Sequence, residues 1–276
     1  MARPARNATR KRTPLTYVLR SVAVAYLFFL VAWPVSLVAK NTFSEGFTSL
    51  RKVFDSPVIM HSIRLTIMVS VVAVAINLIF GVGVSLLLVR YRFPGKRFLS
   101  ALIDLPLSVS PIVVGLAIVL VYNGRDGWFG PALEDGGLKV LFATPSIVMA
   151  TVFVSMPLVV REVVPVLEEV GTDQEQAALS LGASSAQTFR RITLPSIKWA
   201  VVYGVVLSLA RSLGEFGAVK IVSGNVVGKT QTATLVVEQQ YQNFQQRTAY
   251  AMSFLLASAS IVCIVIVSLL RPKAEK

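Results

Sequence analysis

The segment Glu168–Trp199, EEVGTDQEQAALSLGASSAQTFRRITLPSIKW, decides the fold, because it is the longest polar-to-amphipathic insert in an otherwise apolar chain. Acidic residues crowd its first part, and Arg190 and Arg191 stand near its end. This order of charges suits the dipole of a helix that begins on the acidic side. Thr172 and Glu175 have the spacing of a capping box, which predicts that a helix begins there.

Gly182 divides this segment into two predicted helices, because a glycine at this position stops or turns the first of them. The second is a short amphipathic piece with Phe189 and Ile192 on one side, and it ends at Pro195. Two short helices joined at a glycine lie between apolar runs. They are expected to form a projection to which a soluble partner could bind.

Composition indicates an integral membrane protein. The 276 residues are 54% hydrophobic and 15% charged, with a mean hydropathy of +0.68, whereas soluble domains are about 25% charged. Cys263 and His61 are the only residues of their types, which excludes a disulfide within the chain and argues against a metal cluster. An enzyme of the Ser-His-Asp or Cys-His kind would have to use that one histidine, so we assign no catalytic residue and no metal ligand.

Six apolar runs predict an all-α, polytopic membrane protein with six transmembrane helices, each at least as long as a bilayer requires. The predicted spans are about 21–39, 65–89, 99–122, 140–160, 199–222 and 249–270. A basic tail (1–20) precedes them, residues 161–198 form a long loop, and a second basic tail (271–276) follows. A signal peptide is the alternative for the first run, which is long for that role. Pro106 and Pro111 predict a kink in the third span.

The basic residues predict the orientation. The two tails, the 90–97 loop and the Glu168–Trp199 region with Arg161 hold 17 of the 27 lysines and arginines. By the positive-inside rule, both termini and the insert are expected to be cytoplasmic. The net charge of +13 is dispersed over membrane borders, which argues against nucleic acid as a partner.

Ionisable residues within a span suggest function, because they are costly there. Arg211 is predicted to lie close to the bilayer centre, and Glu215 is one helical turn later. The two residues form either part of an anion pathway or a buried salt bridge between helices, and both interpretations stay open. Ser212 lies in the same run, and Asp104 near the start of the third span is a further pathway candidate. Asn77 is expected to make a helix-to-helix hydrogen bond.

No phosphate-binding loop of the Walker type occurs in the sequence, so any ATP would bind to another chain.

The insert resembles the EAA loop of bacterial ABC importer permeases, in which Glu-Ala-Ala is followed at fixed spacing by Gly, Ile and Leu-Pro. Six positions match that pattern, namely Ala177, Ala178, Gly182, Ile192, Leu194 and Pro195. Gln176 occupies the glutamate position, and Glu175 is adjacent. The resemblance implies a type I importer fold and a loop that docks on an ATPase subunit. The implied docking residues are the six matches together with Glu175, Gln176 and Phe189.

A second stretch, LARSLGEFGAVKIVSG (209–224), resembles the fifth span of oxyanion permeases, which comprise a sulfate/thiosulfate branch and a molybdate/tungstate branch. The Ser223-Gly224 and Gly228-Lys229-Thr230 positions, with six spans, resemble the CysW-type sulfate branch more closely. The resemblance implies a location in the bacterial cytoplasmic membrane and transport by alternating access.

The implied partners are a CysT-type permease subunit, two ATP-binding subunits that hold ATP and Mg²⁺, and an extracytoplasmic sulfate-binding protein. This chain itself is expected to bind no cofactor. From topology, the Ser223–Thr248 loop with Tyr241 and Phe244 is expected to face the binding protein. A secondary anion carrier or channel is one competing function, which would not need a docking projection. An intramembrane enzyme is another, with Arg211 and Glu215 as its only close pair of opposite charge.

Overall fold

The computed structural model describes residues 14–270, and this part of the chain is helical with no strand. In chain order the elements are α1 (Pro14–Leu27), a π-helical turn (Phe28–Ala32), α2 (Trp33–Thr42), α3 (Thr48–Asp55), α4 (Pro57–Arg90), α5 (Lys96–Ser108), α6 (Pro111–Tyr122), α7 (Gly130–Asp135), α8 (Thr144–Val170), α9 (Asp173–Ser180), α10 (Ser185–Thr188), a second π-helical turn (Phe189–Thr193), α11 (Leu194–Leu213), α12 (Gly217–Val222), α13 (Ala233–Gln242) and α14 (Gln246–Leu270).

Five continuous helical segments among the described residues are long and apolar enough to cross a membrane. The bent pair α5–α6 gives a sixth candidate, with an angle of 114° between its halves. The predicted kink in the third span is therefore present, and it falls between Ser108 and Pro111. Pro111 explains its place, because a proline disfavours helical conformation in the residue before it.

Several predicted boundaries are wrong. The long loop was placed at 161–198, but α8 continues to Val170 and α11 already begins at Leu194. Val163 and Leu167 are fully buried, and this burial holds the last turns of α8 in helical form. We call the remaining residues, 171–193, the hairpin, and the end of the molecule that carries them the hairpin end.

The predicted fifth span, 199–222, is not one helix, because α11 ends at Leu213 and α12 begins at Gly217. Helix α4 begins at Pro57, ahead of the predicted second span, which starts at residue 65. The first helix also begins early, so residues 14–20 of the predicted basic tail are helical. Residues 1–13 and the tail 271–276 lie outside the described residues.

Helices α4, α8 and α11 form the centre of the bundle, and Val159 of α8 lies where all three meet. Gly81 of α4 and Gly204 of α11 both face Val159. A Cβ atom at Gly81 would lie 2.8 Å from Val159 Cγ1, and one at Gly204 would lie 3.0 Å from Val159 Cα. Small residues allow helices in a membrane to approach closely, so these glycines set the spacing of the three helices.

A leucine at Gly81 is expected to lower the thermal stability of the purified protein. Its side chain would overlap Val159, and over-packing of this kind costs about 1–3 kcal/mol. Gly83, two residues along the same helix, is the matched control because a Cβ there meets nothing within 4 Å. Unfolding midpoints in detergent should fall for Gly81→Leu and stay at the wild-type value for Gly83→Leu. Equal midpoints would show that Gly81 does not set the spacing.

Buried polar groups connect the same three helices. Asn77 Nδ2 of α4 donates to Ser155 Oγ of α8 at 2.8 Å and lies 3.4 Å from Ser208 Oγ of α11. Ser212 Oγ donates to Ser155 Oγ at 3.3 Å. The predicted helix-to-helix hydrogen bond of Asn77 is therefore confirmed.

Residues 223–248, predicted as a polar loop, contain α13 and fold back into the bundle at the end opposite the hairpin. The backbone N–H of Ala233 donates to Thr66 Oγ1 of α4 at 2.8 Å. Thr234 Oγ1 donates to the carbonyl oxygen of Glu215 at 2.8 Å, while Leu235 and Val236 are buried. This segment is thus a packed part of the fold, and its first helical turn reaches the break between α11 and α12.

Candidate functional site

The hairpin consists of α9, a turn at Gly182 and the short helix α10, which leads through a π-helical turn into α11. Gly182 has a φ of +87°, a left-handed conformation that glycine adopts without strain. The next helix begins with a capping box. Ser184 Oγ accepts from the Gln187 backbone N–H at 3.3 Å, and Gln187 Oε1 accepts from the Ser184 N–H at 2.9 Å. The predicted helix–glycine–helix arrangement is confirmed.

The capping box predicted at Thr172 and Glu175 is wrong, although α9 does begin next to Thr172. The Thr172 hydroxyl accepts from Gln176 Nε2 at 3.0 Å and makes no capping bond. Glu175 points away to Arg90, because a half-buried carboxylate gains more from a guanidinium than from a backbone N–H.

The nine residues implied to dock on a partner all lie in the hairpin or at the start of α11. Their exposure differs: Gln176, Ala177, Gly182, Leu194 and Pro195 are exposed, whereas Glu175, Ala178, Phe189 and Ile192 are partly buried. Phe189 packs against the buried cluster that includes Leu167 and Ile197, so it fixes the hairpin to the bundle. Leu181 at the tip is 89% exposed, which leaves an apolar side chain available at the turn.

Arg90 at the end of α4 is the residue that joins the hairpin to the membrane helices. Its Nη1 donates to the Leu167 carbonyl oxygen at 3.1 Å, and its Nη2 donates to the Gly171 carbonyl oxygen at 2.7 Å. The same guanidinium pairs with the Glu175 carboxylate, with Nε 2.9 Å from Oε2 and Nη2 3.1 Å from Oε1. Thr193 Oγ1 donates to Glu175 Oε1 at 2.8 Å.

The Arg90–Glu175 pair therefore binds together the ends of α4, α8 and α9 and the residue before α11. The two side chains are only 12% and 17% exposed, so solvent screens the pair weakly. Sequence reasoning missed this role and counted Arg90 only as one of the basic residues of its loop. The partners are 85 residues apart, and no spacing rule connects them.

Arg211 and Glu215 meet at the break between α11 and α12. Arg211 Nη1 lies 2.7 Å from Glu215 Oε2, which confirms the predicted pairing. The Glu215 side chain is 2% exposed and the Arg211 side chain 38%. Glu215 Oε1 accepts the backbone N–H of Ala218 at 3.0 Å, so the carboxylate also holds the first turn of α12. Glu215 is thus a buried junction, whereas Arg211 remains partly accessible.

Of the other two pathway candidates, Ser212 adjoins this junction, because its carbonyl oxygen accepts the Glu215 N–H at 3.2 Å, whereas Asp104 lies apart from it. Ser212 is buried and its hydroxyl is taken up by Ser155 and by the Ser208 carbonyl oxygen. Asp104 is half-exposed, and its Oδ1 accepts from Arg161 Nε at 3.0 Å. That ion pair joins α5 to α8 near the hairpin end.

A further ion pair, Lys220 with Glu238, connects α12 to α13. Neither Lys220 nor Glu238 is among the site residues that the sequence predicts. Tyr241 and Phe244, singled out in the sequence, follow on the same side and are 55% and 88% exposed.

A multi-pass helical bundle with a protruding helix–glycine–helix hairpin and a discontinuous fifth span is the fold of ABC importer membrane subunits. A chain of a bacterial ABC transporter, involved in the import of the acidic polysaccharide alginate, superposes with a TM-score of 0.77. The match covers 93% of this chain and 94% of that one at 15% sequence identity, so it shows the fold alone.

The family follows from the sequence comparisons. Residues 77–276 match the model of the family described as binding-protein-dependent transport system inner membrane component, and the chain belongs to that family. The sulfate transport system permease protein CysW of Synechococcus elongatus is 47% identical over 262 residues, which are 95% of this chain and 91% of that protein. The CysW protein of Synechocystis is 38% identical over 95% of both chains.

Proposed function

We propose that this chain is a permease subunit of an ATP-driven ABC importer for sulfate or thiosulfate. The observation that supports sulfate as the substrate is the 47% identity, over 95% of the chain, to a sulfate permease subunit. The same likeness favours sulfate over the molybdate/tungstate alternative. In this proposal the protein lies in the bacterial cytoplasmic membrane, with the hairpin and both termini on the cytoplasmic side, as the basic residues predict.

The hairpin is the surface that couples this subunit to its ATPase. It projects from the bundle, exposes Leu181 at its tip and is fixed at its base by Arg90. A self-sufficient secondary carrier would have no use for such a projection. Two ATPase subunits with ATP and Mg²⁺, a CysT-type permease and a sulfate-binding protein complete the proposed machine. Arg211 is the first of the proposed pathway residues, and Glu215, Ser212 and Asp104 are the others.

The direct test is uptake of labelled sulfate by cells that lack their own sulfate permease and receive this chain with its partner subunits. We expect uptake that requires ATP and is inhibited by excess thiosulfate but not by molybdate. Molybdate uptake in place of sulfate uptake would keep the fold and the coupling and would overturn the substrate. Uptake by this chain alone, without an ATPase, would favour the secondary carrier.

Gly182→Pro is expected to abolish uptake without preventing membrane insertion. Proline fixes φ near −65°, whereas the turn requires +87°, so the hairpin cannot close at this position. Gly182→Asn is the matched control, because asparagine tolerates the left-handed region. Membrane fractions should contain both variants, and only the asparagine variant should transport. Normal uptake by the proline variant would remove the coupling role of the hairpin.

A further inference from the structure

We propose that Lys220, Glu238 and the cavity beside them form an outer subsite for the transported oxyanion. This inference rests on the proposed function and adds to it a second cation, nearer the outside than Arg211. In the absence of the anion, Glu238 holds Lys220 in place. When the anion enters the cavity, it takes the place of this carboxylate beside the ammonium group.

Lys220 is held in place by two partners and remains exposed. Its ammonium group pairs with the Glu238 carboxylate and lies 5.3 Å from the centre of the Phe216 ring. Both contacts attract the cation, the second through the electron-rich face of the ring. The Lys220 side chain is nevertheless 45% exposed, and that of Glu238 is 24% exposed. The ammonium group is thus held in a defined position and remains accessible to an anion.

The Lys220–Glu238 pair lies further along the fifth span than the pair of Arg211 and Glu215. Thr234 at the start of α13 donates to the carbonyl oxygen of Glu215, so α13 begins at the level of the inner ion pair. Glu238 is four residues further along α13, a rise of about 6 Å. Lys220 is likewise one turn beyond Phe216 on α12. The outer ion pair therefore lies about one helical turn beyond the inner pair along α13, and the fifth span supplies the cation of each.

A cavity of about 400 Å³ adjoins the outer pair. Its lining consists of Phe216 and Glu238, which are the two partners of Lys220, three apolar residues (Val237, Ala249 and Leu256) and four side chains that carry hydroxyl groups: Thr234, Tyr241, Tyr250 and Ser253. The Thr234 hydroxyl already donates to the Glu215 carbonyl oxygen, so the hydroxyl groups of Tyr241, Tyr250 and Ser253 are the donors for the oxygen atoms of an oxyanion. The cavity thus provides neutral donors beside the Lys220–Glu238 pair, and an oxyanion bound to them would lie next to the ammonium group.

The carboxylate keeps a partner when Lys220 turns to the anion. Gln242 Nε2 donates to Glu238 Oε1 at 3.2 Å from the next turn of α13. Glu238 is therefore not left without a hydrogen bond, which lowers the cost of the exchange. A dianion also attracts the ammonium group more strongly than a single carboxylate does at equal distance.

The test uses the assembled transporter in detergent, without its binding protein, and measures equilibrium binding of labelled sulfate by scintillation proximity. Lys220→Met is expected to weaken binding about tenfold, the effect of losing one charged hydrogen bond. Glu238→Gln is expected to tighten binding several-fold, because the competing negative charge is gone. The double variant Lys220→Met/Glu238→Leu leaves no unpaired charge and should bind as weakly as the single methionine variant.

Three outcomes would overturn the subsite. The first is that Lys220→Met binds sulfate as tightly as the wild type. The second is that the double variant does so. The third is that the wild type binds no more sulfate than the methionine variant. ATP-driven uptake with the binding protein separates this failure from that of the proposed function. If the wild type imports sulfate and the variants match it, the subsite alone is wrong. If the wild type imports no oxyanion, both proposals are wrong.

Discussion

Arg90→Ala is expected to abolish ATP-driven uptake while the chain still inserts into the membrane. The substitution removes the only cation that the structure places beside Glu175 among the described residues, together with the donors to the Leu167 and Gly171 carbonyl oxygens. Breaking a buried ion pair by removing one partner costs about 3–5 kcal/mol. That cost falls on the base of the hairpin, so the hairpin is expected to lose its fixed position relative to α4 and α8.

The measurement is the number of sulfate ions imported per ATP hydrolysed by the complete transporter in proteoliposomes. Arg92→Ala is the matched control, because Arg92 is an exposed arginine two residues away. Arg90→Lys should give an intermediate value, since lysine keeps the charge but cannot present several donors in one plane. An unchanged ratio for Arg90→Ala, with normal uptake, would show that this anchor does not take part in coupling.

Arg211→Ala is expected to reduce anion uptake at least about tenfold, with less effect on assembly of the subunits. Arg211 is the accessible member of its pair, and removing it takes away a charge-assisted contact worth about 1.5–3 kcal/mol. It also leaves Glu215 buried and without its cation. The double variant Arg211→Ala/Glu215→Gln separates the two effects, because the neutral amide can still accept the Ala218 N–H.

Uptake and co-purification of the partner subunits are measured for both variants. If Arg211 contacts the anion, the double variant assembles normally and remains deficient in uptake. If the pair only joins α11 to α12, the double variant recovers uptake, because the unpaired carboxylate was then the only defect. The two interpretations that the sequence left open are thereby distinguished.

The hairpin was predictable because its signals are local. Gly182, the Leu194-Pro195 pair and the small residues of α9 lie within 20 positions, and helix caps and turns depend on neighbours in sequence. The kink of the third span followed for the same reason from Pro111. Partners far apart in sequence gave no such signal. Arg90 and Glu175 meet because α4 and α8 pack along their length. The spacing of residues within either helix does not predict that the two helices pack together.

The fold-back of α13 was missed for a different reason. The polar residues of the segment 223–248 predict a loop, yet Gln231, just before α13, is 1% exposed and donates to Gln239 Oε1 at 2.7 Å. Polar side chains that bond to each other can be buried at little cost, and hydropathy alone does not show this. The break at Gly214 was also hidden, because the apolar residues continue on both sides of it.

Helix α8 gives the molecule a mechanical property. Its 27 residues form one helix of about 40 Å that includes Pro157 and Pro165. The Ser146 hydroxyl near its start donates to the last carbonyl oxygen of α12, and the Leu167 carbonyl oxygen, about 32 Å further along, accepts from Arg90. If this stretch tilts by about 10° about one end, the other end moves by about 6 Å. A partner that tilts α8 by moving the hairpin would therefore also displace the end of α12 that is bonded to Ser146.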